Sequence, residues 1–65
     1  MNNFVKLDVA LELMASEISK TTGLYEQTQK EQYIEQLNLL NDQRDKIYFG
    51  DMKTIDKVIS FYGKE

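Results

Sequence analysis

Residues 4–18 read FVKLDVALELMASEI, in which Phe4, Leu7, Leu11, Met14 and Ile18 recur at alternating spacings of three and four. At 3.6 residues per turn this spacing puts all five side chains on one face of an α-helix. The pattern predicts a helix from about Asn3 to Lys20, with Asn2 or Asn3 placed to accept from its first unpaired N–H groups. Thr21-Thr22-Gly23 follows, joining two β-branched residues to a glycine suited to a left-handed terminus, and predicts the helix end.

Working outward, Thr28-Gln29-Lys30-Glu31 has the spacing of a capping box, in which the Thr oxygen and the Glu carboxylate satisfy free backbone N–H groups reciprocally. It predicts a second helix over about 28–48, and Thr28→Ala is then expected to cost about 0.5–2 kcal/mol. Tyr33, Leu37, Leu40 and Ile47 share one face of that helix, with Ile34, Asn41 and Tyr48 along its edge and Arg44 within the stripe. Gly50 can end it, Asp51 can cap a third helix over about 51–62, and Met52, Ile55, Ile59 and Tyr62 again repeat at three and four. Gly63 closes the third helix. The expected fold is all-α: a single helical domain over residues 1–65, a small antiparallel helical hairpin extended by a short third helix into a three-helix bundle.

A chain of 65 residues encloses a thin core, worth rarely more than about 3–5 kcal/mol, and small domains commonly add disulfides, a metal or a second copy of themselves. With no Cys and no His, a disulfide and a structural zinc site are closed off, so self-association is the expected supplement. Hydrophobic residues make up 42% of the chain, too many for disorder. Lys6, Asp8, Glu12 and Glu17 interrupt the first helix, which leaves no uncharged run for a signal-peptide core or a membrane span. The expectation is a cytoplasmic chain that does not insert into a membrane.

The residue types also narrow the chemistry. There is no His or Cys to act as a base near neutral pH or as a thiolate, and no glycine-rich phosphate loop. Asp42 and Asp45, three apart, are a conceivable carboxylate pair, but their helical position reads more simply as a solvated face. No enzyme, no metal and no cofactor is expected. Arg44 to Lys64 has the outline of a helix-turn-helix, with Tyr48-Phe49-Gly50-Asp51 as the turn and Lys53, Lys57 and Lys64 on the second helix. Asp56 lies within that would-be recognition helix, however, and a formal net charge of −3 repels phosphate. Direct nucleic-acid binding is not expected. Four tyrosines, Tyr25, Tyr33, Tyr48 and Tyr62, read as core or contact residues rather than as a base-stacking platform, because three of them lie on or beside apolar stripes.

Two constellations point to partners. Glu31, Glu35, Asn38, Asp42 and Asp45 form an acidic stripe opposite Leu37 and Leu40, rising about 4.5–6 Å per step, near the phosphate spacing of one DNA strand. Such a face suits an acidic decoy that occupies the site of a nucleic-acid-binding protein. The first helix also carries a second apolar row, Val5, Val9 and Leu13, at i, i+4 and i+8. A helix apolar on two sides is buried on two sides, either by its own domain or by a partner. With Leu39 and Phe61, also off their helices' main faces, this surplus makes binding to another protein the leading functional expectation. The first partner expected is a second copy, in a homodimer in which Val5, Val9 and Leu13 of one chain meet an apolar surface of the other, such as the same row related by a twofold axis.

Overall fold

The computed structural model describes residues 2–63, and Lys64 lies outside them. Its elements are α1 (Asn3–Thr28), α2 (Glu31–Tyr48) and α3 (Met52–Tyr62), with no strand among the described residues. The all-α bundle expected from the spacing is thus present, with the end of the first helix and the start of the second displaced.

Helix α1 begins where the sequence places it, and the Asn2 side chain accepts from the Val5 N–H at 2.9 Å. It does not stop at Thr21-Thr22-Gly23 but runs on to Thr28, for 26 residues. Each supposed breaker is accommodated by tertiary packing or by the helix itself. Thr21 is buried, and Thr22 satisfies its hydroxyl by donating to the Ile18 carbonyl at 2.8 Å. Gly23 keeps ordinary helical geometry, since Gly50 alone among the described glycines has a positive φ. Propensity costs of this size, at most about 1 kcal/mol per residue, yield readily to packing along a whole helix face. The left-handed stop is Gln29 instead, at φ 57°, with its N–H on the Tyr25 carbonyl. Because a β-carbon at Gly23 would meet nothing within 4 Å, Gly23→Ala should stabilise the protein by about 0.5–1 kcal/mol. A raised urea midpoint checks this, and a lowered one would place a break at Gly23 after all.

The expected capping box is also absent. Helix α2 is preceded by Lys30, with no side-chain cap, while the Thr28 hydroxyl donates back to the Leu24 carbonyl at 2.7 Å. Thr28 thus belongs to the last turn of α1, because α1 extends eight residues beyond the expected end at Lys20 and takes it as its final residue. The junction of α2 and α3 is as the residues dictate. Gly50 takes φ 80°, a conformation that costs other residues about 1–2 kcal/mol. The Asp51 carboxylate then accepts from the Lys53 and Thr54 N–H groups and from the Thr54 hydroxyl.

The hydroxyl of Thr54, 3.1 Å away, together with these N–H donors, holds the Asp51 carboxyl below its ordinary pKa of 3.8. A lowered folded-state pKa means that the cap's contribution is complete above the ordinary carboxyl range and is lost as pH falls through the lowered value. Amide protection in α3, taken relative to the intrinsic exchange rate at each pH, should therefore fall as pH drops below about 4. Asp51→Asn, which caps without a charge, should remove that part of the acid dependence. Equal acid sensitivity in the variant would mean that other carboxylates govern it.

At about 1.5 Å per residue α1 is about 39 Å long, and it spans the longest dimension of a 39 × 24 × 14 Å molecule. Helix α2 returns antiparallel after a two-residue turn, and α3 runs back alongside α1. The direction of α3 is fixed by two contacts with α1. Lys6 Nζ meets Asp56 Oδ1 at 3.1 Å, and Glu17 lies close enough to Tyr62 to act on its hydroxyl. Helix α1 is the shared element: it packs on both of the others, whereas α2 and α3 touch each other far less. The fully buried core is Ala10, Met14, Leu40, Ile47, Ile55 and Val58, ringed by half-buried Leu7, Leu11, Leu13, Ile18, Met52, Ile59 and Tyr62.

Phe4, expected on the core stripe, is 83% exposed. The reason is length. Eighteen residues of α2 carry the chain only about 27 Å back along α1, which leaves the first turn of α1 beyond the end of α2.

Candidate interaction surface

The five apolar residues singled out as surplus occupy different environments. Leu13 is half-buried and packs against the core, and Val9 is half-buried as well. Only Val5 of that row is classed as exposed. The row winds around the helix because residues four apart advance about 400° rather than a full multiple of a turn, so its lower end turns away from the core and its upper end toward it.

Leu39 and Phe61, by contrast, are 66% and 72% exposed, and each lines one of two adjoining depressions between α2 and α3. Because α2 and α3 run antiparallel from the turn at residues 49–51, Phe61 stands level with Leu39. Beside Leu39 the surface sinks into a depression of about 330 Å³, lined on α2 by Gln36, Leu39, Leu40, Asp42, Gln43 and Lys46, with Tyr62 opposite. It continues into a smaller one of about 170 Å³, bounded by Gln43, Lys57, Val58, Phe61 and Tyr62. Gln43 and Tyr62 belong to both. The groove exists because α1 holds the other two helices without drawing them together.

The floor is set by core residues. Leu40 and Val58 are buried, and they fix the rotation of α2 and α3 so that Leu39 and Phe61, each one or three residues away, must point to the rims. Phe61 stacks edge-on against Tyr62, with ring centroids 4.8 Å apart, which limits the conformations of both rings. Burial raises the pKa of the Tyr62 hydroxyl, and the neighbouring Glu17 carboxylate raises it further, so this hydroxyl stays a neutral donor at the groove floor throughout the physiological range.

No family model matches this chain, and no curated protein or solved structure is significantly similar to it. The surface must therefore be read from its own residues.

Glu31, Glu35, Asp42 and Asp45 are all exposed, as is Asn38, and they cover the side of α2 that faces away from the core. Asp42 reaches the groove rim, so the acidic stripe and the groove adjoin. Three further exposed side chains, Phe4, Tyr48 and Phe49, lie toward the end of the bundle where α1 and α3 begin. No helix among the described residues is long and apolar enough to cross a membrane. Arg44, within the α2 stripe, is half-buried; its stem can lie along apolar neighbours, while its Nε is buried without a hydrogen-bond partner among the described residues.

Sequence periodicity missed Val58 and Ala10 as core residues and Gln43, Lys46 and Tyr62 as groove residues. Val58 is recoverable, since it lies three residues after Ile55 on the same face. Ala10 carries too little apolar bulk to register in a hydrophobic pattern, and the groove depends on how far α3 sits from α2, for which no local signal exists.

Proposed function

We propose that the chain is a non-catalytic protein–protein interaction module that associates first of all with a second copy of itself. The observation that carries this reading is the pair Leu39 and Phe61, large apolar side chains 66% and 72% exposed that line two adjoining depressions between α2 and α3. Singly exposed apolar residues are ordinary, but two that converge on a concave surface resemble the anchors and pocket of a binding site.

Complete burial of a Leu or Phe is worth about 1.5–3 kcal/mol, so these two residues in each of two copies supply at most about 6–12 kcal/mol. Association costs an estimated 4–15 kcal/mol, which leaves a weak complex, micromolar or softer. Sedimentation velocity from about 5 to 500 μM is the test. A monomer–dimer equilibrium within that range is expected, whereas a monomer throughout would reject self-association.

A second reading rests on the acidic face of α2. As an acidic decoy, the chain would present Glu31, Glu35, Asp42 and Asp45 to the basic site of a nucleic-acid-binding protein. Their joint exposure supports it. Glu31→Lys with Asp45→Lys, both outside the groove lining, should then release such a partner while leaving self-association intact.

A further inference from the structure

We propose that the groove between α2 and α3 is filled by α2 of a second copy, the two α2 helices lying antiparallel about a twofold axis that passes beside Leu39. This inference rests on reading the chain as self-associating, and it names the surface and its register.

The outward flank of α2 carries Gln32, Glu35, Leu39, Asp42 and Lys46. Their spacings of three and four are the seam along which two helices pack at a shallow angle. Charge along this seam is self-complementary in one orientation only. Glu35 and Lys46 have their midpoint between Leu40 and Asn41, so an antiparallel copy centred there sets each Lys46 against the partner's Glu35, twice by symmetry. A parallel copy would oppose Glu35, Asp42 and Lys46 each to its like. With the antiparallel centre Leu39 lies about 2 Å along the helix from the axis, level with the partner's Asp42 and about 4.5 Å along the helix from the partner's Leu39.

Phe61 joins the contact because it stands level with Leu39 across the groove. Seated in that groove, α2 of the partner meets Phe61 on one side and Leu39 on the other. It covers the depression that Gln43 and Tyr62 line from below. Gln36 and Gln43 supply donors and acceptors at the rim, where an interface is ordinarily polar. A chain of net charge −3 repels its copy at long range, so association needs this local pairing of opposite signs.

Charge-swap sedimentation decides the matter, with helicity checked by circular dichroism. Lys46→Glu and Glu35→Lys are both exposed changes, and each should weaken self-association about tenfold, because each turns two intermolecular attractions into repulsions. The double variant E35K/K46E should return to within about threefold of the native value, and so should an equimolar mixture of the two single variants. Leu39→Glu should leave a folded monomer. If the native chain self-associates but Leu39→Glu or the single charge variants leave that unchanged, the groove is not the interface, although the chain remains a self-associating module. Singles that weaken without rescue in the double would overturn the antiparallel register, and a native chain that stays monomeric would reject self-association itself.

Discussion

Ile55→Ala is expected to cost about 2–5 kcal/mol and to leave the protein largely unfolded at room temperature. Ile55 has no solvent exposure and belongs to the six-residue apolar core. It is also one of the two buried residues by which α3 is held, and α3 is too short, at 11 residues, to persist as a helix in water unaided. A single core in a chain of this size supplies about 3–5 kcal/mol, so one such truncation consumes most of it. Urea denaturation followed by circular dichroism measures the effect. A loss below about 1 kcal/mol would mean that α3 contributes little to the cooperative unit.

Ala10→Leu should also destabilise strongly, by about 1–3 kcal/mol, although it adds apolar bulk. Ala10 is fully buried one turn before Met14 on the central helix, and its small side chain lets the neighbouring helices approach α1. A leucine there must force them apart, because packed interiors leave little room for added methylenes. The expected readout is a lowered thermal midpoint with a native-like helical spectrum at low temperature. A raised midpoint would show spare volume beside Ala10 and hence a looser core than the burial pattern implies.

Much of the fold was legible because it is local. The Asn2 cap, the Gly50-Asp51 junction and the apolar periodicities of Leu7 to Ile18 and of Met52 to Tyr62 each need only a few consecutive residues to express their preference. The misreadings share another cause. Thr21, Thr22 and Gly23 disfavour a helix weakly, and the burial of Thr21 together with the Thr22 hydrogen bond to Ile18 overcomes that preference. Once α1 extends through Thr28, the capping residue expected for α2 is already committed to Leu24. Phe4 was misplaced because a periodicity counts residues on a face without knowing where the partner helix ends.

The candidate surface was legible only in part. Leu39 and Phe61 stand out in sequence as apolar residues off the main stripes, but their meeting across one groove depends on the antiparallel run of α2 and α3. The row of Val5, Val9 and Leu13 shows the converse. Its three residues are equivalent in spacing, yet Leu13 lies against the core while Val5 faces solvent, because a row at i, i+4 and i+8 drifts around the helix.

The most direct measurement is a dilution series by heteronuclear NMR, from about 1 mM to 20 μM, that follows each backbone amide. A groove-to-groove dimer moves the resonances of Glu35, Leu39, Gln43, Lys46, Phe61 and Tyr62 together, with one dissociation constant, and leaves the outer face of α1 near Val5 unmoved. Shifts confined to α1, or none at any concentration, would contradict the groove as the site of association.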